Sequence, residues 1–139
     1  MRKSKINISG FKIGTAENRD GLTGVTVILA PDGGATAGVD VRGCAPGTRE
    51  TDLLDPRKTV QKIHAVVLSG GSAFGLEAAS GCVKYLAEQG VGFPIGNVCV
   101  PIVCSAVLFD LMIGDEKAYP DLLMGYEAAK SASSEFLSG

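Results

Sequence analysis

The hydrophobic pattern of the chain is strongest over residues 64–81, where an apolar run ends abruptly in glycines and then resumes with a different period. Residues 65–68 are small or β-branched apolar residues, as expected for a buried strand. Further on, apolar residues recur at helical spacing on one face, at Leu76, Ala79, Val83 and Leu86. This stretch therefore predicts a strand, a glycine-rich turn and a helix of about residues 73–89.

The first third of the chain has the alternating pattern of strands that are buried on one side. Residues 1–14 alternate polar and apolar positions, and residues 24–30 have high β-propensity. Residues 31–34 combine Pro with Asp-Gly, which is turn chemistry, so residues 35–41 are predicted to return as a third strand. Residues 42–51, rich in glycine and proline, are predicted to form an ordered loop.

The remaining segments alternate between predicted strands and predicted helices. A helical turn is expected within residues 51–56, with Thr51 or Asp52 as its cap. A strand is expected over residues 98–103, around Pro101, and residues 106–113 are ambiguous between strand and helix. A helix is predicted for residues 121–132, followed by a polar tail. The fold class is therefore α/β (α+β).

Composition excludes several classes of function. The chain has 139 residues, which fits one domain, and its net charge of -2 comes without a basic stripe for nucleic acid. No apolar run reaches the roughly 18 residues of a membrane helix, and no secretory segment is recognised, so a cytoplasmic location is predicted. One histidine and four cysteines without a C-x-x-C pair predict reduced thiols and neither metal nor cofactor.

The glycine turn is the first candidate for chemistry. Its backbone amides are predicted to face a pocket and to hold a carboxylate or an oxyanion, at Ser69, Gly70, Gly71, Ser72 and Gly75. A P-loop is excluded because no lysine follows the second glycine. The dinucleotide fingerprint and the serine-hydrolase elbow also fail, since the glycines have the wrong spacing.

Two further candidates have both a structural and a functional interpretation. Ser72 has no base beside it because His64 lies near the other end of the predicted strand, so Ser72 is predicted to be a helix N-cap or to bond the backbone. His64 is predicted to be structural. The loop arginines, Arg42 and Arg49, are either solvated charges or a clamp that binds a carboxylate bidentately or holds an acidic neighbour.

Five segments in the same order resemble the L-aminopeptidase/D-esterase family, the DmpA-like group of self-cleaving hydrolases. The resemblance runs in register from about residue 8 to the end. The segments are GFKIG at 10–14, GLTGVTVIL at 21–29, GVDVRGCAPGTRET at 38–51, AVVLSGGSAFGL at 65–76, and VPIV at 100–103 with LFD at 108–110.

The resemblance implies part of an αββα sandwich, with residues 1–139 as a single incomplete domain, the N-terminal part of a DmpA-like peptidase domain. Family precursors cut themselves once, and the freed N-terminal Ser or Thr attacks a peptide or aminoacyl amide with its own α-amine as base. That segment is absent here, so no catalytic residue is assigned and a truncated or fragmentary chain is expected. Cys44 stands where relatives usually have glycine.

Three functions therefore remain open. The chain is expected to supply scaffold and pocket walls of an aminopeptidase or amidase and to be inactive alone, either self-associating as a homo-oligomer or depending on the missing C-terminal portion. The alternatives are a small-ligand module that binds a carboxylate or another anion, and a truncated gene product without a function of its own. Open sheet edges would favour aggregation in the last case.

Overall fold

A computed structural model describes residues 2–138 of the chain. The strands are β1 (Arg2–Lys5), β2 (Lys12–Asn18), β3 (Thr23–Leu29), β4 (Thr48–Arg49), β5 (Ala65–Ser69), β6 (Phe93–Ile95), β7 (Val98–Val100), β8 (Val103–Val107) and β9 (Glu135–Ser138). The α-helices are α1 (Ala78–Glu88) and α2 (Leu122–Lys130), and 3-10 turns span Asp52–Leu54 and Ser72–Glu77. The mixture of helices and sheets confirms the predicted α+β class.

The centre of the fold is a five-stranded mixed sheet with the order β2-β3-β5-β8-β4. Strands β2 and β3 form an antiparallel hairpin, and β3 pairs antiparallel with β5. Strands β5 and β8 are parallel, as expected because α1 connects them and returns the chain to the same end. The short strand β4 pairs antiparallel with the outer side of β8. The carboxyl ends of β5 and β8 therefore meet at one edge, beside the glycine turn.

Both helices pack on the same face of the sheet. Alternate residues of β3 are buried there, as the pleat requires. The core cluster contains Val25, Val27, Leu29, Ala65, Val67, Ala78, Ala79, Cys82, Leu86, Val103, Ala128 and Ala129. Glycine is required where the helices cross, because a Cβ on Gly81 would overlap the Leu122 carbonyl oxygen and one on Gly125 would overlap the Ala78 carbonyl oxygen. The helix backbones are thus in direct contact.

The opposite face of the sheet is only partly covered within residues 2–138. A second cluster of Ile63, Ile102 and Cys104 packs there against Leu53 and Leu54 of the first 3-10 turn. Leu68, by contrast, lies on the central strand β5 and is 47% exposed. One face of the sheet is therefore covered by both helices, and the other face is covered only in part.

Several predicted elements agree with the structure. The strand at 24–30 is β3, the helix at 121–132 contains α2, and the helical turn at 51–56 contains the 3-10 turn. The helix expected from residue 73 begins as a 3-10 turn and becomes α-helical at Ala78. Thr51 occupies the N-cap position of that turn, as predicted, but its side chain makes no capping hydrogen bond.

Four predicted elements were wrong. The predicted strand at 35–41 is reduced to one isolated bridge between Ala35 and Ile63, because the strand that pairs with β3 is β5. The predicted polar tail contains β9, which pairs with β1. The single strand expected over residues 1–14 is split into β1 and β2, and the single strand expected around Pro101 is split into β7 and β8. Among the described residues, no helix has the length and hydrophobicity needed to span a bilayer.

Candidate functional site

The glycine turn lies at the carboxyl end of β5 and is built from left-handed backbone. Gly71 has φ of 81°, and Ser72 follows with φ of 51°. Gly71 caps the 3-10 turn, so the expectation that Ser72 is the N-cap was wrong. Gly75 is held close to the preceding strand, since a Cβ there would overlap the Gly70 carbonyl oxygen. These two successive left-handed residues turn the chain after β5 and lead it into the 3-10 turn that precedes α1.

Asp110 holds this turn in place, and sequence reasoning did not select it as a site residue. Its Oδ2 accepts a hydrogen bond from Thr23 Oγ1 at 2.7 Å, and its Oδ1 accepts one from the Gly71 amide at 2.6 Å. One carboxylate thus joins β3, the glycine turn and the segment after β8. The available signal was its position three residues beyond the last residue of a strand whose carboxyl end lies next to that of β5.

Three further amides of the turn donate hydrogen bonds within the chain. Gly70 N donates to Gly24 O at 2.9 Å, Ser72 N donates to Leu108 O at 3.0 Å, and Gly75 N donates to Gly71 O at 3.4 Å. Ser69 is buried, and its Oγ donates to the Gly70 carbonyl oxygen. A ligand can therefore use the amides of Gly70, Gly71, Ser72 and Gly75 only by replacing a hydrogen bond of the fold. Their role as an anion or oxyanion site remains a prediction.

Ser72 and His64 do not form a nucleophile and base pair. They lie beyond opposite ends of β5. His64 is buried, its Nδ1 accepts a hydrogen bond from the Ile102 amide at 3.0 Å, and burial lowers its pKa. Its neutral ring joins β5 to the segment before β8, as expected for a structural histidine.

The buried thiols are also poorly suited to nucleophilic attack. Burial raises the pKa of Cys82 to about 12, and burial together with the charge of Glu50 raises the pKa of Cys104. Attack by cysteine requires the thiolate, so both groups are in the inactive protonated form near neutral pH. Cys44 and Cys99 are free cysteines as well.

The two candidate arginines lie in different environments. Arg42 is exposed and pairs with Asp40, with Nε 2.6 Å from Oδ2. Arg49 lies on β4, is half-buried, and donates from Nη1 to Ser80 Oγ of α1 at 2.6 Å. The two arginines have different partners, and the predicted carboxylate clamp remains a prediction.

An open cleft of about 560 Å³ adjoins the glycine turn and includes Gly70, Asp110, Leu22 and Leu108 in its lining. Exposed apolar side chains surround the same end of the sheet. The Phe74 and Tyr119 rings stack with centroids 4.8 Å apart, and Phe74 is 59% exposed. The carboxyl end of the parallel strands therefore presents a polar centre within an apolar rim.

Comparison of the sequence with known proteins identifies a family. Residues 5–139 match the profile described as Peptidase family S58. The chain is 45% identical over 134 residues to an uncharacterized aminopeptidase of Mycobacterium leprae, with 91% of this chain and 37% of that protein covered. It is 50% identical over 109 residues to an uncharacterized aminopeptidase of Mycobacterium tuberculosis, with 78% of this chain and 31% of that protein covered.

A more distant relative is named for a different hydrolytic activity. The chain is 34% identical over 128 residues to a 6-aminohexanoate-oligomer endohydrolase of a Kocuria species, with 92% of this chain and 33% of that protein covered. The chain thus spans about a third of the length of the curated relatives it matches. Because the family profile matches nearly the whole chain, the resemblance inferred from the five segments is confirmed, and the chain belongs to peptidase family S58.

Proposed function

We propose that this chain is the scaffold and substrate-side part of a hydrolase that cleaves N-terminal aminoacyl amide or peptide bonds. The observation that carries the proposal is the family match over residues 5–139. The names of the relatives, aminopeptidase and 6-aminohexanoate-oligomer endohydrolase, both describe hydrolases. The substrate proposed for the whole enzyme is a small peptide or an aminoacyl amide.

The assignment of a scaffold role follows from the chemistry of the described residues. Ser72 has no histidine beside it, and the Cys82 and Cys104 thiols are held protonated. The family resemblance places the nucleophile in a later segment of the relatives, with its own α-amine as base. In that mechanism this chain supplies a rigid scaffold and a surface that binds the substrate, and no histidine is needed.

The surface best suited to substrate is the carboxyl end of the parallel strands. There the glycine turn is fixed by Asp110, and the exposed side chains of Leu22, Phe74, Leu108 and Phe109 surround it. Apolar walls with a few fixed polar groups are typical of small-molecule sites. We propose that these side chains contact the substrate and that the nucleophile approaches from the adjoining segment of the enzyme.

The test compares the chain alone with the chain supplied with the family segment that follows the matched region in the M. leprae relative. The chain alone should hydrolyse no aminoacyl p-nitroanilide, and coexpression with that segment should give turnover. Ser72→Gly is the matched control, because glycine accepts the left-handed backbone and removes only the hydroxyl. Turnover by the chain alone that disappears in Ser72→Gly would overturn the proposal in favour of a serine hydrolase.

We propose a reducing, cytoplasmic location, supported by the four free cysteines. We also propose that the chain associates with itself or with the remaining part of the enzyme. Leu68 on the central strand, Phe109 and Met112 are exposed apolar side chains, and burial of such apolar area is a strong driving force for association.

A further inference from the structure

Arg49 differs from the other arginines whose side chains the structure describes. Arg19, Arg42 and Arg57 each pair with a carboxylate two residues away. Arg49 is the most enclosed of the four, and within residues 3–137 it forms no ion pair and donates one hydrogen bond, to neutral Ser80. A guanidinium group carries five N–H donors. Most of its donors and its full charge are therefore left for another partner.

A second unpartnered group lies opposite Arg49 on the neighbouring strand. Arg49 and Ser105 are opposite each other in the antiparallel pair of β4 and β8, and such partners project from the same face of the sheet. This is the helix-covered face, because Val103, two residues earlier on β8, belongs to the core under α1. Ser105 is 2% exposed, and among the described residues its Oγ has no hydrogen-bond partner.

The charge balance around this cluster favours an anion. Ser80, the third residue of α1, meets Arg49 with a neutral hydroxyl and not with a carboxylate. A partly desolvated cation without a counter-charge is unfavourable, and a carboxylate matches the planar guanidinium fork with two parallel hydrogen bonds. The Ser80 hydroxyl accepts from Arg49 and still has its own proton to donate.

We propose that Arg49, Ser80 and Ser105 form a binding site for a carboxylate on the edge of the sheet, separate from the glycine turn. The free N–H groups of Arg49 bind the carboxylate oxygens, and the Ser80 hydroxyl donates to one of them. The Ser105 hydroxyl gains its missing acceptor as the carboxylate seats against the sheet. Arg42 has no part in the site because Asp40 already occupies its guanidinium group.

The experiment follows the Arg49 Nε–Hε NMR signal of the full chain while sodium acetate is added, with sodium chloride at equal ionic strength as the reference. Glycylglycine tests a peptide carboxylate, and glycinamide tests the same kind of molecule without a carboxylate. Saturable shifts with acetate and glycylglycine, and none with glycinamide or chloride, are expected. No saturable shift with acetate, or an equal one with glycinamide, would overturn the proposal.

Variants then assign the binding to the named groups. Arg49→Lys keeps the charge and loses the fork, so acetate affinity should fall by about tenfold or more. Ser105→Ala should weaken binding by about threefold to tenfold, the usual range for one buried hydrogen bond. Arg42→Gln is the matched control and should leave affinity unchanged. If Arg49→Lys and Ser105→Ala bind acetate as well as the unaltered chain does, the site is wrong. Because every readout is binding, these results do not depend on hydrolytic activity.

Discussion

Removal of the Asp110 carboxylate should destabilise the fold more than most surface substitutions. In Asp110→Ala, the Thr23 hydroxyl and the Gly71 amide both lose their acceptor, and both donors lie in buried residues. A hydrogen bond to a charged group contributes about 1.5–3 kcal/mol, and an unsatisfied buried donor costs a similar amount. Water reaches the half-buried carboxylate position and replaces part of the loss. We therefore expect a decrease of about 2–4 kcal/mol in the free energy of unfolding.

The measurement is urea unfolding followed by far-UV circular dichroism, because the chain has no tryptophan. A loss of 3 kcal/mol moves the midpoint by about 1–3 M urea for a protein of this size. Asp110→Asn, which keeps an acceptor for Gly71, should lose about 1 kcal/mol, and Thr23→Val should lose about 1–2 kcal/mol.

A double-mutant cycle separates the local bond from general damage. If Thr23 and Asp110 interact as the 2.7 Å distance indicates, Asp110→Ala should cost about 1 kcal/mol less in the Thr23→Val background. Full additivity of the two substitutions, or a loss below about 1 kcal/mol for Asp110→Ala, would refute the interpretation that this carboxylate holds the glycine turn.

Three further predictions concern packing, pH and thiol reactivity. Gly81→Ala should lose about 3 kcal/mol or more in urea unfolding because a Cβ overlaps the facing helix, whereas Gly38→Ala, with open space around its Cα, should stay within about 0.5 kcal/mol; equal effects would contradict the helix contact. Burial lowers the pKa of His64 below 6.5, so the unfolded chain binds that proton first. Stability should fall as the pH drops through 6.5 and level off below the lowered pKa, and His64→Asn should flatten that part of the curve; an unchanged curve would contradict the assignment. Iodoacetamide should modify the exposed Cys44 in the native chain and Cys82 only after unfolding, because burial raises the Cys82 pKa to about 12; equal rates in the native chain would contradict this burial.

Local pattern predicted an element correctly where that element is buried on one face only. The hairpin strand β3 and the helix α2 carry their burial in the spacing of their own residues. The strand predicted at 35–41 failed for a physical reason: Pro31 to Gly34 has the composition of a hairpin turn, but β5 occupies the edge of β3 that a returning strand would need. Competition between distant strands for one edge leaves no trace in local sequence.

The sequence predicted where the glycine turn lies but not the hydrogen bonds that its amides make. The switch from strand to helix periodicity at residues 70–75 located the glycine turn correctly. The pattern could not show that its amides donate within the chain, since Leu108 and Asp110 are almost 40 residues away in sequence. The two arginines looked equivalent in a short loop, and only the pairing of β4 with β8 separates Arg49 from Arg42.

The ribbon of β1 and β9 pairs Arg2 to Lys5 with Glu135 to Ser138 and so joins segments from opposite ends of the chain. Loop-closure entropy makes such a contact slow to form until the intervening chain is already compact. The ribbon should therefore be the last part of the molecule to fold and the first to open. Amide hydrogens in β1 should exchange long before those in β5, and protection in β1 is a direct kinetic signal that the whole chain has reached its native topology.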